Sequence, residues 1–219
     1  MNVREMVWAE QDELRELLAG LATDDWDQPT LCGSWKVRDV VAHLISINEA
    51  GLSGLLQATV SINWFNSTEV KRRASLTPEE LLDAFEKVMG IRGIGRLAPP
   101  SAMLVEVLVH SQDIRRPLGL QREIPADRLR VLLPRSVSPA SYVPGFGFTG
   151  GRRRARGLRL RATDLGWSWG TGHEVSGAAE ALLLAVLGRP AALADLSGDG
   201  VPTLASRMTN GEDQRRSGS

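Results

Sequence analysis

Apolar residues recur at helical spacing through the first half of the chain. Residues 3–22 place Met6, Leu14, Leu17, Leu18 and Leu21 on one face with charges between them, which predicts an amphipathic helix weakened at its end by Gly20. A turn-rich stretch, TDDWDQPTLCGS at 23–34, separates it from a second stripe of Val37, Val40, Val41, Leu44 and Ile47. That stripe predicts a helix from about Trp35 to Gln57 with Ser34 as its cap. Residues 63–75 show no such period and read as a loop. Thr77-Pro78-Glu79-Glu80 combines an N-cap, a proline at the first helical position and a glutamate that closes a capping box. The helix it starts carries Leu81, Leu82, Phe85, Val88 and Met89 and ends in the glycines at 90, 93 and 95. A fourth helix over 101–116 is stopped by Pro117 and Gly119. Four helices in this length predict an up-down bundle with a shared core over residues 1–120.

The pattern changes after that. Residues 121–151 read as a connector that includes a short helix at 126–133 and a Pro/Gly/Ser-rich run from Pro134 to Gly151. Leu158, Leu160 and Ala162 alternate with Arg159, Arg161 and Thr163, the period of a strand with one wet face. Asp164-Leu165-Gly166 turns the chain into a second strand at 167–169, and Ser176 is positioned to cap an apolar helix through 181–187 that Gly188 ends. Residues 152–209 therefore form a small α+β domain, and the polar residues 210–219 a disordered tail.

Charge and composition narrow the function. The 26 basic residues balance 26 acidic ones, which argues against a constitutive nucleic-acid binder or a polybasic membrane-surface protein. No apolar run approaches the ~20 residues of a membrane span, and acids interrupt the first 18 residues, so neither a span nor a signal peptide is expected. The single cysteine, Cys32, cannot form an internal disulfide. A cytoplasmic protein, monomer or homodimer, is the expectation. Only Lys36, Lys71 and Lys87 are lysines among the basic residues, an arginine skew that reports a GC-rich genome more than a property of the fold.

Candidate chemistry concentrates in the fourth helix, MLVEVLVHSQDIRR. At ~100° per residue its apolar side chains cover nearly the whole circumference, and Glu106, His110 and Asp113 share the remaining arc of roughly 60°. A buried carboxylate needs compensation. Glu106 and His110 stand at i and i+4, a spacing that lets both reach one metal ion. His43, at the edge of the second helix's apolar stripe beside Ile47, is the candidate third ligand. Imidazole and carboxylate suit Zn²⁺ or another divalent first-row ion, and three protein ligands leave a position open, as in catalytic sites. Asp113, one turn beyond His110, is placed to accept a proton from the ligand imidazole. The same spacings also suit a hydrogen-bonded core histidine at 43, a buried Glu106–His110 pair, and an Asp113 that only pairs with Arg115 or Arg116.

Three segments, LCGSWKVRDVVAHL at 31–44, MLVEVLVHSQDIRRPLG at 103–119 and ATDLGWSWGTGHEVSGAAEALLLAVLGRP at 162–190, resemble the mycothiol-dependent maleylpyruvate isomerase family of actinobacteria. The resemblance extends over nearly the whole chain and is weakest at 58–75 and 134–156. It implies a DinB-like four-helix bundle that binds a divalent metal, usually zinc, followed by a smaller sterol-carrier-like α+β domain. By motif, His43 matches the histidine of W-x-V-R-D-x-x-x-H, and Glu106 and His110 match E-x-x-x-H, so the resemblance implies these three as metal ligands. It further implies mycothiol as cosubstrate and a small electrophile as substrate. A thiolate adds to a double bond conjugated to a carbonyl, the resulting enolate rotates about what is now a single bond, and the thiol is expelled. Stopping after addition or displacement gives a thiol S-transferase instead. The alternative class is a non-catalytic small-ligand-binding or regulatory protein on the same fold.

The remaining motifs carry less. Cys32 lies eleven positions before His43, about 16 Å if the intervening chain were helical, and reads as a helix-start residue outside the metal group. His173, in a Gly-Thr-Gly-His stretch, reads as a surface residue, and the arginine run at 152–161 as a solvated face. No phosphate loop, nucleophile elbow or zinc-ribbon cysteine pattern is present.

Overall fold

The computed structural model describes residues 1–50, 61–138 and 150–216, without the side chains of 62, 63, 94 and 209–216. The chain divides after Arg122 into two compact units. Its fold class is the expected one, a helical N-terminal unit and a smaller sheet-and-helix unit.

In the first unit, α1 (Val3–Ala19) opens with a capping box that the sequence reading missed. Asn2 Oδ1 accepts from the Glu5 amide at 3.0 Å, and Glu5 Oε2 accepts from the Asn2 amide at 2.9 Å. Its inner face buries Met6, Val7, Leu14 and Leu18, and also Glu10 and Gln11. Arg122 meets the Glu10 carboxylate with two bonds of 2.8 and 2.9 Å, tying the end of the unit to its first helix.

The chain from Gln28 to Val37 doubles back on itself. Thr30 N donates to Trp35 O and Val37 N to Gln28 O, while Gly33, at φ +63°, supplies the left-handed turn between them. This pairing keeps residues 34–36 out of the helix, so α2 starts later than expected, at Val37, and spans Val37–Glu49. Ser34 is not its cap; Lys36 is, with Asp39 Oδ2 accepting from the Lys36 amide at 2.9 Å. The expected continuation of this helix through 51–57 lies outside the described residues.

The segment expected to be a loop contains a helix, α3 (Ile62–Arg72). Ser61 Oγ caps it, accepting from Trp64 N at 3.2 Å. Phe65 is buried, and the buried Arg73 that follows the helix pairs with Glu69 and with Glu49 of α2. Next comes α4 (Pro78–Lys87), with the capping box read from Thr77 and Glu80 in place. Pro100 then starts α5 (Pro100–Arg115), buried continuously from Ser101 to Ile114. Leu14 and Leu18 of α1, Val40, Val41 and Leu44 of α2, Leu81 and Phe85 of α4, and Val107 and Ile114 of α5 share one core, the bundle expected from their spacing.

In the second unit, α6 (Ala126–Ser136) and the short α7 (Gly151–Ala155) flank the connector whose residues 139–149 lie outside the description. The strands β1 (Leu158–Ala162), β2 (Ser168–Trp169), β3 (His173–Gly177) and β4 (Leu196–Ser197) form one sheet in the order β2-β1-β3-β4. β1 buries Leu158, Leu160 and Ala162 and exposes Arg159 and Arg161, as its alternation predicts. β3, parallel to β1, was not expected, and it takes Ser176 into the ladder opposite Arg161. Ser176 therefore does not cap α8 (Ala179–Val186); Asp164 Oδ1 does, accepting from Ala179 N at 2.9 Å. α9 (Val201–Arg216) continues seven residues into the segment expected to be a tail. Arg152 and Arg153 are solvated, whereas Arg154 turns inward and donates to the Val186 carbonyl at 3.2 Å. Among the described residues, no helix is long and apolar enough to cross a membrane.

Candidate metal centre

Two helices of the first unit bring the predicted site residues together. α5 carries Glu106 and His110 one turn apart, and α2, buried from Val40 to Asn48, packs against it and presents His43. His43 Nε2 lies 3.5 Å from Glu106 Oε2, and His110 Nε2 lies 3.4 Å from that same oxygen. The two imidazoles meet edge to face with centroids 5.1 Å apart. One donor atom from each residue falls within 4.8 Å of the other two, and all three residues are buried.

The distances suit a ligand set. Both 3.4 and 3.5 Å exceed the usual ~2.7–3.2 Å of an N–H···O hydrogen bond. They match the edge of a tetrahedron, about 3.3–3.4 Å, built on Zn–N and Zn–O bonds of about 2.0–2.1 Å. Two imidazole nitrogens and one carboxylate oxygen with a fourth vertex left over is a donor set that fits a catalytic divalent ion.

Groups behind the ligands orient them. Asp113, fully buried, places Oδ2 2.9 Å from His110 Nδ1. A proton held on that nitrogen leaves Nε2 with its lone pair toward Glu106 and His43, the tautomer a metal requires. Trp35, delivered by the doubled-back chain before α2, lies 5.1 Å from the His43 ring and 6.5 Å from the His110 ring, walling both with an apolar surface.

Electrostatics follow this arrangement. Burial raises the Glu106 carboxyl, but its attraction to His110 and His43 outweighs that and holds it well below the usual carboxylate range. Burial likewise disfavours the charged form of His110, yet Asp113 and Glu106 overcome it and push this histidine up to about 8. Burial dominates at His43 and lowers it, so the imidazole there is neutral. In the metal-free protein one proton therefore resides on His110, balanced by two carboxylates.

Sequence reasoning missed three neighbours. Cys32 brings its sulfur within 4.8 Å of a ring nitrogen of His110 and a carboxylate oxygen of Asp113, while the group that contains His43 does not include it. The reversal at Gly33 is what carries Cys32 to the start of α2 beside His110, a placement that no local spacing signals. Trp35 was legible only as part of the W-x-V-R-D-x-x-x-H motif. Asn66 sits on α3, in the segment read as loop, and its side chain acts on His43. His173 lies in the other unit, exposed, with Nδ1 2.6 Å from Asp199 Oδ2.

Residues 7–90 match a family model described as the mycothiol maleylpyruvate isomerase N-terminal domain. The match contains His43 and ends before Glu106 and His110. Among solved structures, the mycothiol-dependent maleylpyruvate isomerase is similar, with a TM-score of 0.63 at 13% identity. A histidine-to-alanine mutant of a mycothiol-dependent maleylpyruvate isomerase gives 0.62 at 13% identity. Each similarity covers 91% of this chain and 93% of the other. No curated protein matches the sequence. The family resemblance carried by the motifs is thus borne out, by a family model over the N-terminal domain and by the fold of the whole chain.

Proposed function

We propose that this chain, which resembles the mycothiol-dependent maleylpyruvate isomerase family, is an enzyme that holds one divalent ion through His43, Glu106 and His110 and uses mycothiol as cosubstrate. The observation that supports it most directly is the single carboxylate oxygen of Glu106 lying 3.4 and 3.5 Å from two imidazole nitrogens in a buried site. The donor set suits Zn²⁺.

His43, Glu106 and His110 would hold such an ion with a net charge of +1, and its chemistry there would be to favour an incoming thiol as its thiolate near neutral pH. The protein's own residues prepare for that. Glu106 stays ionised, Asp113 fixes the His110 tautomer, and Trp35 excludes water from one side of the rings. The thiolate then attacks a small electrophile. Addition followed by rotation and expulsion gives cis-trans isomerisation of the maleylpyruvate type, and arrest after addition gives S-transfer. Cytoplasmic residence is part of this proposal, since mycothiol must be kept reduced to act.

Elemental analysis of gently purified protein, together with calorimetric titration of thiols, tests the reading. We expect about one divalent ion per chain and a preference for mycothiol over glutathione and cysteine of more than tenfold, about 1.4 kcal/mol. A protein that binds no metal, gains no thermal stability from Zn²⁺ and ignores mycothiol would overturn it and leave a non-catalytic ligand-binding protein.

A further inference from the structure

Two buried polar atoms near the centre have no hydrogen-bond partner: Nδ1 of His43 and Oδ1 of Asn66. Burying either atom unsatisfied costs about 1–3 kcal/mol, so two of them on packed neighbouring helices call for an explanation. His43 sits on α2 and Asn66 on α3, and these helices pack directly on one another. His43 uses Nε2 toward Glu106, which leaves Nδ1 as the nitrogen that faces elsewhere. The Asn66 side chain lies within reach of the His43 ring. The two atoms complement each other: an imidazole N–H needs an acceptor, and the amide oxygen offers one.

We infer that Asn66 is a positioning residue for His43, its Oδ1 receiving the Nδ1 proton when Nε2 is turned to a metal ion. This rests on the metal-centre reading above. A histidine that ligates through Nε2 must carry its proton on Nδ1, and that proton needs a fixed acceptor if the ring is to keep its orientation. His110 has such an acceptor in Asp113 at 2.9 Å. Asn66 gives His43 the equivalent, with a difference that follows from chemistry. A second ionised carboxylate here would be a third negative charge around two imidazoles and one ion. A neutral amide fixes the tautomer without adding a further negative charge beside the ion.

The inference is tested by ¹⁵N NMR of histidine-labelled protein, without metal and with Zn²⁺, on wild type, Asn66→Ala and Asn66→Asp, alongside competitive Zn²⁺ titration. In wild type the His43 signals should show a proton on Nδ1 and a bare Nε2, with Nε2 shifting when Zn²⁺ is added. Asn66→Ala should weaken Zn²⁺ binding by about 10–100-fold and mix the two His43 tautomers, leaving the His110 tautomer as it was. Asn66→Asp, which keeps the acceptor oxygen, should restore the Nδ1–H tautomer and Zn²⁺ affinity to within a few-fold or better. A residue that served only to dock α3 would lower thermal stability without moving the tautomer signal. If Asn66→Ala does not fold, the wild-type spectrum and Asn66→Asp still decide. A wild-type His43 protonated on Nε2, or an Asn66→Ala protein with unchanged tautomer and Zn²⁺ affinity, overturns the inference. If wild type binds no Zn²⁺, the metal-centre reading fails on its own, and the tautomer comparison in the metal-free proteins still judges the Asn66–His43 bond.

Discussion

Asp113→Asn isolates the bond that orients His110. The side chain keeps its shape and loses its charge in a position with no solvent exposure, 2.9 Å from His110 Nδ1. In the metal-free protein His110 titrates at about 8 in the folded chain, against an ordinary value of 6.5. A shift of that size corresponds to about 2 kcal/mol of stability, using about 1.4 kcal/mol per unit. It falls within the ~1.5–3 kcal/mol expected for a hydrogen bond to a charged group. Because the folded value is raised, this stabilisation is complete below the unfolded value near 6.5 and disappears as pH rises through about 8. His43, lowered by burial, is present in both proteins, so its contribution cancels in the comparison. Urea unfolding with a chelator present, at intervals from pH 6 to 9, should show wild type losing about 2 kcal/mol across the range and Asp113→Asn losing less. Parallel stability curves for the two proteins would refute the assignment of that proton to the His110–Asp113 pair.

Three further outcomes are expected. Zn²⁺ binding by the wild-type chain at pH 7 should release about one proton, detected by calorimetry in buffers of different ionisation enthalpy, because His110 is protonated before the ion arrives. His43→Ala should lose the ion on dialysis, whereas Cys32→Ser should retain metal and thiol-dependent turnover within a few-fold, since Cys32 lies beside Asp113 and His110 but outside the His43–Glu106–His110 group. Arg122→Ala should lower the urea-unfolding free energy by about 3–5 kcal/mol by removing its two bonds to the buried Glu10 carboxylate, and Glu10→Leu combined with Arg122→Leu should recover most of it.

Elements set by local period or local capping were legible in the sequence. Thr77 and Glu80 close their box within four residues, and the stripe of β1 alternates within five. The misread elements depend on distant chain. α3 shows no readable apolar period in the sequence; among its described side chains Phe65 is the one fully buried large one, and the helix is held by a cap at Ser61 and by ion pairs that reach Glu49 on another helix. Ser34 and Ser176 have the chemistry of caps, yet strand-like pairing claims the backbone around each: Thr30 with Trp35 in one case, β1 with β3 in the other. Side-chain cap energies of about 1 kcal/mol are easily outweighed by such tertiary pairing.

The same division runs through the metal centre. Glu106 and His110 were legible because one helix sets their spacing and an apolar circumference makes a carboxylate there conspicuous. His43 was legible at the edge of a stripe. The neighbours of these candidate ligands arrive by other routes: Trp35 and Cys32 by a reversal at Gly33, and Asn66 by a helix without a readable period. Ligand chemistry needs particular residue types at particular spacings, and that leaves a mark on the sequence. Support needs only an acceptor or an apolar wall at a point in space, and any segment that passes there can provide it. A chain that kept His43, Glu106 and His110 but lost the acceptor at Asn66 would still carry the motif, with one imidazole free to turn its wrong nitrogen toward the ion.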